Sequence, residues 1–164
     1  TMRTKSPVTL TLYPNAFGMG YVISESPKEL INYGIAKIRP LSQDRYVKRL
    51  LRFVKDYKPD IILLRGYADT DNRISKRVIK VINTFEKEAN KLDISVYKYS
   101  RDDIKDVFSQ FDGNCKYQIS KTIASWYPEL KRLMPDIRVH PRPEHYRMGI
   151  FDAFSLMLAH HYLE

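Results

Sequence analysis

Four consecutive aliphatic residues, Ile61-Ile62-Leu63-Leu64, follow a Pro59-Asp60 breaker and constrain the fold more than any other stretch of the chain. A run without polar alternation predicts a strand buried on both faces, the situation of a central strand in a parallel sheet covered by helices. The segment that follows agrees. Apolar positions Val78, Ile79, Ile82, Phe85 and Ala89 recur at helical steps within 75–92, and 95–99 reads as another strand. Strand, helix and strand in that order predict a right-handed parallel crossover. The residues just beyond Leu64 then stand at a crevice along the sheet edge.

Upstream, 8–13 alternates and is rich in β-branched and aromatic residues, Pro14-Asn15 marks a turn, and apolar runs resume over 18–24 and 30–38. Three strands of this kind predict an antiparallel meander. From the Ser42 cap, Tyr46, Val47, Leu50, Leu51, Phe53, Val54 and Tyr57 trace an amphipathic helix that stops before Pro59. Its other face carries Arg45, Lys48, Arg49, Arg52 and Lys55, a pattern expected of a solvated face that can also meet phosphate. Downstream, Ser100 caps a helix over 101–108, a loop spans 111–114, a helix follows over 116–127, a proline-rich stretch covers 135–143, and a final apolar helix runs over 144–162. The expectation is one α/β domain over 1–164: a central mixed five-stranded sheet, three antiparallel strands then parallel strands, with helices on both faces.

Twenty-eight Lys and Arg against nineteen Asp and Glu give a net charge of +9, which favours an acidic partner such as nucleic acid. The single cysteine, Cys115, excludes an intrachain disulfide framework and a multi-thiolate metal site and is expected to be a semi-buried thiol. No apolar run approaches the roughly 18 residues of a membrane helix, and Arg3 and Lys5 precede no hydrophobic signal region, so a soluble cytoplasmic protein without a membrane partner is expected.

Several short motifs, taken with this element order, resemble the RuvC-type Holliday junction resolvases of the ribonuclease H-like superfamily. That family opens on Ile-Asp-Pro-Gly and a Gly-Tyr-Gly-Val-Ile-like strand; this chain has Leu12-Tyr13-Pro14-Asn15 and then Gly18-Met19-Gly20-Tyr21-Val22-Ile23. A Pro-Asp pair starts the family's central strand with a glutamate five residues after the aspartate; Pro59-Asp60 is present and Arg65 holds the glutamate's place. Gly113-Asn114-Cys115-Lys116-Tyr117-Gln118-Ile119 is similar to its Gly-x-Ala-x-Lys-x-Gln-Val segment, which makes Lys116 the match of a lysine that approaches DNA. Asp152-Ala153-Phe154-Ser155-Leu156-Met157-Leu158-Ala159-His160 resembles its final helix, with Asp152 as the catalytic acid. One turn earlier Gly149 stands where the family has Asp or His. The resemblance thus implies a ribonuclease H-like fold, a homodimer meeting through the helix over 75–92, and a site of which Asp152 survives while Tyr13, Arg65 and Gly149 have changed.

Hydrolysis in that superfamily uses two hard divalent cations, usually Mg²⁺, held by a carboxylate cluster. One carboxylate does not hold two such ions, and an arginine repels them. Arg65 is therefore expected to pair with Asp152 in the metals' place. No zinc site is expected from His140, His145, His160 and His161, whose spacing lacks a helical repeat, and no small-molecule cofactor is implied. Tyr67, Arg73, Lys76 and Arg77 near the sheet's carboxyl edge, with Lys116 and Lys121, are the expected nucleic-acid contacts, Tyr67 as a possible stacking residue. The expected function is binding of DNA, branched DNA above all, without the usual nuclease activity. Two alternatives stand beside it: a Mg-dependent junction or flap endonuclease using relocated acids among Glu25, Asp69, Asp71 and Glu144, and a non-catalytic protein scaffold on the same fold.

Overall fold

The computed structural model describes residues 6–39, 42–67, 74–113, 115–134 and 147–164. Their elements run β1 (Thr9–Asn15), β2 (Gly18–Ser26), β3 (Glu29–Lys37), α1 (Gln43–Tyr57), β4 (Ile61–Arg65), α2 (Lys76–Lys91), β5 (Ser95–Tyr99), α3 (Arg101–Phe108), α4 (Lys116–Trp126) and α5 (Met148–Leu163), with short 3-10 segments at Ser109–Phe111 and Pro128–Leu133. The strands form one five-stranded sheet in the order β3-β2-β1-β4-β5. β1, β2 and β3 pair antiparallel, while β1, β4 and β5 run parallel. This is the expected meander followed by a parallel crossover.

Local chemistry sets the ends of these elements. Ser42, Ser75 and Ser100 accept hydrogen bonds from the backbone N–H three residues on, opening α1, α2 and α3. At Ser100 the Asp103 carboxylate bonds back to the cap's own N–H, completing a capping box. α1 closes with Lys58 at φ 47°, and Pro59 lacks the N–H that a further turn needs. The Asp60 carboxylate accepts from Val8 N at 2.8 Å, so the Pro-Asp pair fixes the start of β1 beside β4.

Alternation divides the sheet's side chains between two cores. Leu10, Leu12, Met19, Ile23, Ile62 and Leu64 point to the face covered by α1 and α2. Tyr13, Val22 and Leu63 point to the opposite face, under α3, α4 and α5. The central strand is sealed as its composition requires, with Ile62, Leu63 and Leu64 all fully buried. β4 runs one residue past the apolar stretch and so includes Arg65. α5 begins at Met148, and the segment 144–146 expected to open it lies outside the described residues. Cys115 is exposed, contrary to expectation: it occupies the N-cap of α4, outside any apolar face.

Candidate nucleic-acid interface

β1 and β4 pair in register through Leu12 and Leu64, so the next residue on each strand, Tyr13 and Arg65, emerges at the same edge and on the α5 side. The Arg65 guanidinium lies over the Tyr13 ring, 4.3 Å from its centroid, and Nη1 donates to the Pro14 carbonyl at 2.7 Å. α5 brings Asp152, 3% exposed, against this pair. α4 brings Lys116, whose Nζ lies 3.2 Å from Asp152 Oδ2 and 5.8 Å from the Tyr13 ring centroid.

The expected partnership between Arg65 and Asp152 is therefore not formed. Lys116 provides the cation, and Arg65 is held by a strand carbonyl and an aromatic face. The reason is reach. The carbonyl of Pro14 and the ring of Tyr13 belong to the neighbouring strand, and they engage the guanidinium before it arrives at α5. The Nε of Arg65 is buried without a hydrogen-bond partner.

Burial pushes the Tyr13 phenol above its ordinary pKa; the Asp152 charge adds to the shift, and Arg65, Lys116 and Arg101 oppose it. The phenol is thus neutral at pH 7 and a poor ligand for a hard cation. Arg101, the first residue of α3 just past the end of β5, was missing from the expected contacts, and its Nη2 is also buried without a partner. Its signal was its position: like Arg65, it stands at the carboxyl end of a parallel strand.

Among the described residues, three cations, Arg65, Arg101 and Lys116, and one carboxylate, Asp152, act on Tyr13. This donor set does not fit a two-cation centre. Its carboxylate is engaged by an ammonium, and its surroundings repel positive charge. Among the described residues no group of three His, Cys, Asp or Glu side chains could hold a metal ion. Asp69, Asp71, Glu144, His140 and His145 lie outside the described residues, while Glu25 sits on β2 without such a cluster.

Gly149 has a packing role. A Cβ on Gly20 would lie 1.9 Å from the Gly149 carbonyl oxygen, so α5 meets β2 backbone against backbone. A Cβ on Gly149 itself would lie 2.9 Å from Asn15 Nδ2, and Asn15 is held by its Oδ1 accepting from Phe17 N at 2.8 Å.

The remaining expected contacts are spread more widely. Lys76 and Arg77 are exposed at the start of α2 on the opposite face, lining a cleft with Ser42, Gln43 and Tyr46 of the α1 end. Lys121 is exposed on α4, five residues beyond Lys116 and so on a different side of the helix. Tyr67 packs against the α1–α2 core and donates to Asn83 Oδ1 at 2.8 Å, which ties its ring to α2. Arg73 lies outside the described residues. The outward side of α2, expected to carry a dimer contact, adds no large exposed apolar residue to the surface apart from Leu92 at its end.

No family model and no curated protein matches this sequence. Solved structures do match. The RuvC structure of Thermus thermophilus aligns over 93% of this chain and 92% of its own, with a TM-score of 0.63 and 15% identity. The same organism's RuvC in complex with a Holliday junction substrate gives 0.62 at 16% identity over 94% and 92%. The yeast mitochondrial Holliday junction resolvase gives 0.57 at 9% identity over 97% and 81%. With its mixed five-stranded sheet and helices on both faces, the chain has an α/β ribonuclease H-like fold, and its structural neighbours are RuvC-type and related resolvases.

Proposed function

We propose that this protein binds nucleic acid, branched DNA in the first instance, through the basic site around Tyr13, Arg65 and Lys116, and that it does not cut by the two-metal route. The observation that carries the reading is the Lys116–Asp152 pair beside Arg65 and Tyr13: the buried Asp152 carboxylate is neutralised by a side chain of the protein itself. Phosphate is the natural occupant of such a place, because guanidinium N–H groups match its oxygens and need no metal to bridge like charges. The net charge of +9 supports the same partner. So does the fold's likeness to a resolvase complexed with junction DNA. Two symmetric arms call for a homodimer, and a cytoplasmic setting suits the chain; no helix among the described residues is long and apolar enough to cross a membrane.

Gel-shift and cleavage assays on four-way junction, flap and duplex DNA, run with Mg²⁺, with Mn²⁺ and with chelator, test the reading. Junction binding that survives chelation and weakens steeply with salt, without cutting, is the expected result. Metal-dependent cutting abolished by Asp152→Asn would overturn it in favour of an endonuclease with relocated ligands. Negligible, salt-insensitive affinity would leave a protein scaffold.

A further inference from the structure

A second basic surface lies on the other side of the sheet. The cleft between the end of β3 and the outer side of α1, about 230 Å³, is lined by Lys37, Ile38, Arg39, Arg45, Lys48, Arg49 and Arg52: six cations, one aliphatic residue and no carboxylate. Arg45, Lys48, Arg49 and Arg52 stand at steps of three and four, so they form one stripe along successive turns. Like charges at these spacings disfavour a helix. The ion pair of Arg52 with Asp56 at 3.9 Å joins two largely exposed side chains and is weak. Arg49 lies 6.0 Å from the Phe53 ring centroid, which steadies its guanidinium without neutralising it.

Topology relates this stripe to the crevice. Because β2 runs antiparallel to both β1 and β3, the carboxyl end of β3, with Lys37 and Arg39, lies at the same edge as Tyr13 and Arg65. α1 starts at that edge and descends from it. We infer that the α1 stripe and the end of β3 form a second track for the phosphate backbone, which guides a duplex arm away from the crevice along α1. The inference rests on the nucleic-acid reading above.

Dimensions and chemistry favour a polyphosphate over an acidic protein. The seven helical steps from Arg45 to Arg52 rise roughly 10 Å, the length of about three phosphates on one strand. Ile38, the one apolar residue of the cleft, is buried, so the cleft lacks the aromatic or aliphatic anchor on which protein partners rely.

The test compares the full chain with an Arg45→Gln, Lys48→Gln, Arg49→Gln, Arg52→Gln variant on junctions with arms two helical turns long and with arms shorter than one turn. None of the four residues is buried, and unchanged circular dichroism confirms the fold. On long arms the variant is expected to bind roughly 10- to 100-fold more weakly at moderate salt, with a salt slope shallower by about 2 to 3. On short arms it matches the parent, whereas Lys116→Gln weakens both substrates alike. If the parent binds long arms and the variant binds them equally well, the second track is overturned while the crevice reading stands. If the parent binds neither substrate, the nucleic-acid reading itself fails and this inference with it. Loss of binding to polyglutamate with DNA affinity intact would also overturn the inference and assign the stripe to an acidic protein.

Discussion

On one face of the sheet, α1 and α2 turn Tyr46, Leu50, Phe53, Val78, Ile82 and Phe85 inward and leave their cations in solvent. On the other, α5 has twelve of its sixteen residues buried. Charge is consequently unrestricted on the first face, where it costs little beyond repulsion between neighbours. On the second, each buried polar group needs a partner. Asp152 has Lys116, the Ser155 hydroxyl donates to the Asp152 carbonyl at 2.7 Å, and His160 Nδ1 lies 2.7 Å from the Tyr99 hydroxyl. Burial pushes that phenol up to about 12 and lowers the imidazole's pKa, so a protonated Tyr99 hydroxyl and a neutral His160 ring share this hydrogen bond. The contrast shows how one fold carries two basic surfaces of different kinds: a largely exposed array on α1, and a buried site in which Lys116 holds the Asp152 carboxylate and Arg65 is held by the Pro14 carbonyl and the Tyr13 ring.

The largest expected effect is on packing. Phe154→Ala, at a fully buried site of α5, should cost about 3–5 kcal/mol, while Leu51→Ala on α1, 40% exposed, should stay within about 0.5 kcal/mol. Denaturant unfolding measures both, and equal losses would erase the contrast. Next comes the pair in the crevice. Lys116→Met leaves Asp152 buried without its ammonium and should cost about 1–3 kcal/mol, less than a fully buried pair because the lysine is 31% exposed. Lys116→Met combined with Asp152→Asn should recover part of that loss; a neutral single variant would mean that other contacts hold the acid.

The smallest effect is a pH dependence. Burial lowers the pKa of both His160 and His161. Below about 6.5 the unfolded chain takes up protons that the folded imidazoles refuse. Their contribution is therefore complete above that pH and is lost as the pH falls toward the lowered folded values. Thermal melts from neutral pH to about 5 should show a decline that His160→Gln flattens and that the Gln variant of the α1 stripe leaves in place.

The meander, the parallel crossover and the long helices were legible because hydrophobic period is a local signal, reinforced by serine caps at α1, α2 and α3. Ile61-Ile62-Leu63-Leu64 announced a sealed strand, and Asp152, Tyr13, Arg65 and Lys116 did converge. The partnership inside the crevice was not legible. Which acceptor Arg65 meets depends on the distance to a carbonyl of β1 and on the reach of a lysine from α4, neither of which sequence spacing encodes. Nor was the Tyr67 contact legible: its hydroxyl donates to Asn83, sixteen residues away on α2. The Tyr99–His160 bond spans sixty-one positions and leaves no local trace.

The meeting of Gly20 and Gly149 has a mechanical consequence. With no side chain between them, the α5 and β2 backbones are in direct contact, and Asp152, one turn beyond Gly149, is rooted against the sheet. Lys116 reaches the same carboxylate through a long methylene chain rooted in a different helix. The pair can therefore loosen by a rotamer change of the lysine, on the picosecond-to-nanosecond scale rather than the far slower scale of a helix shift.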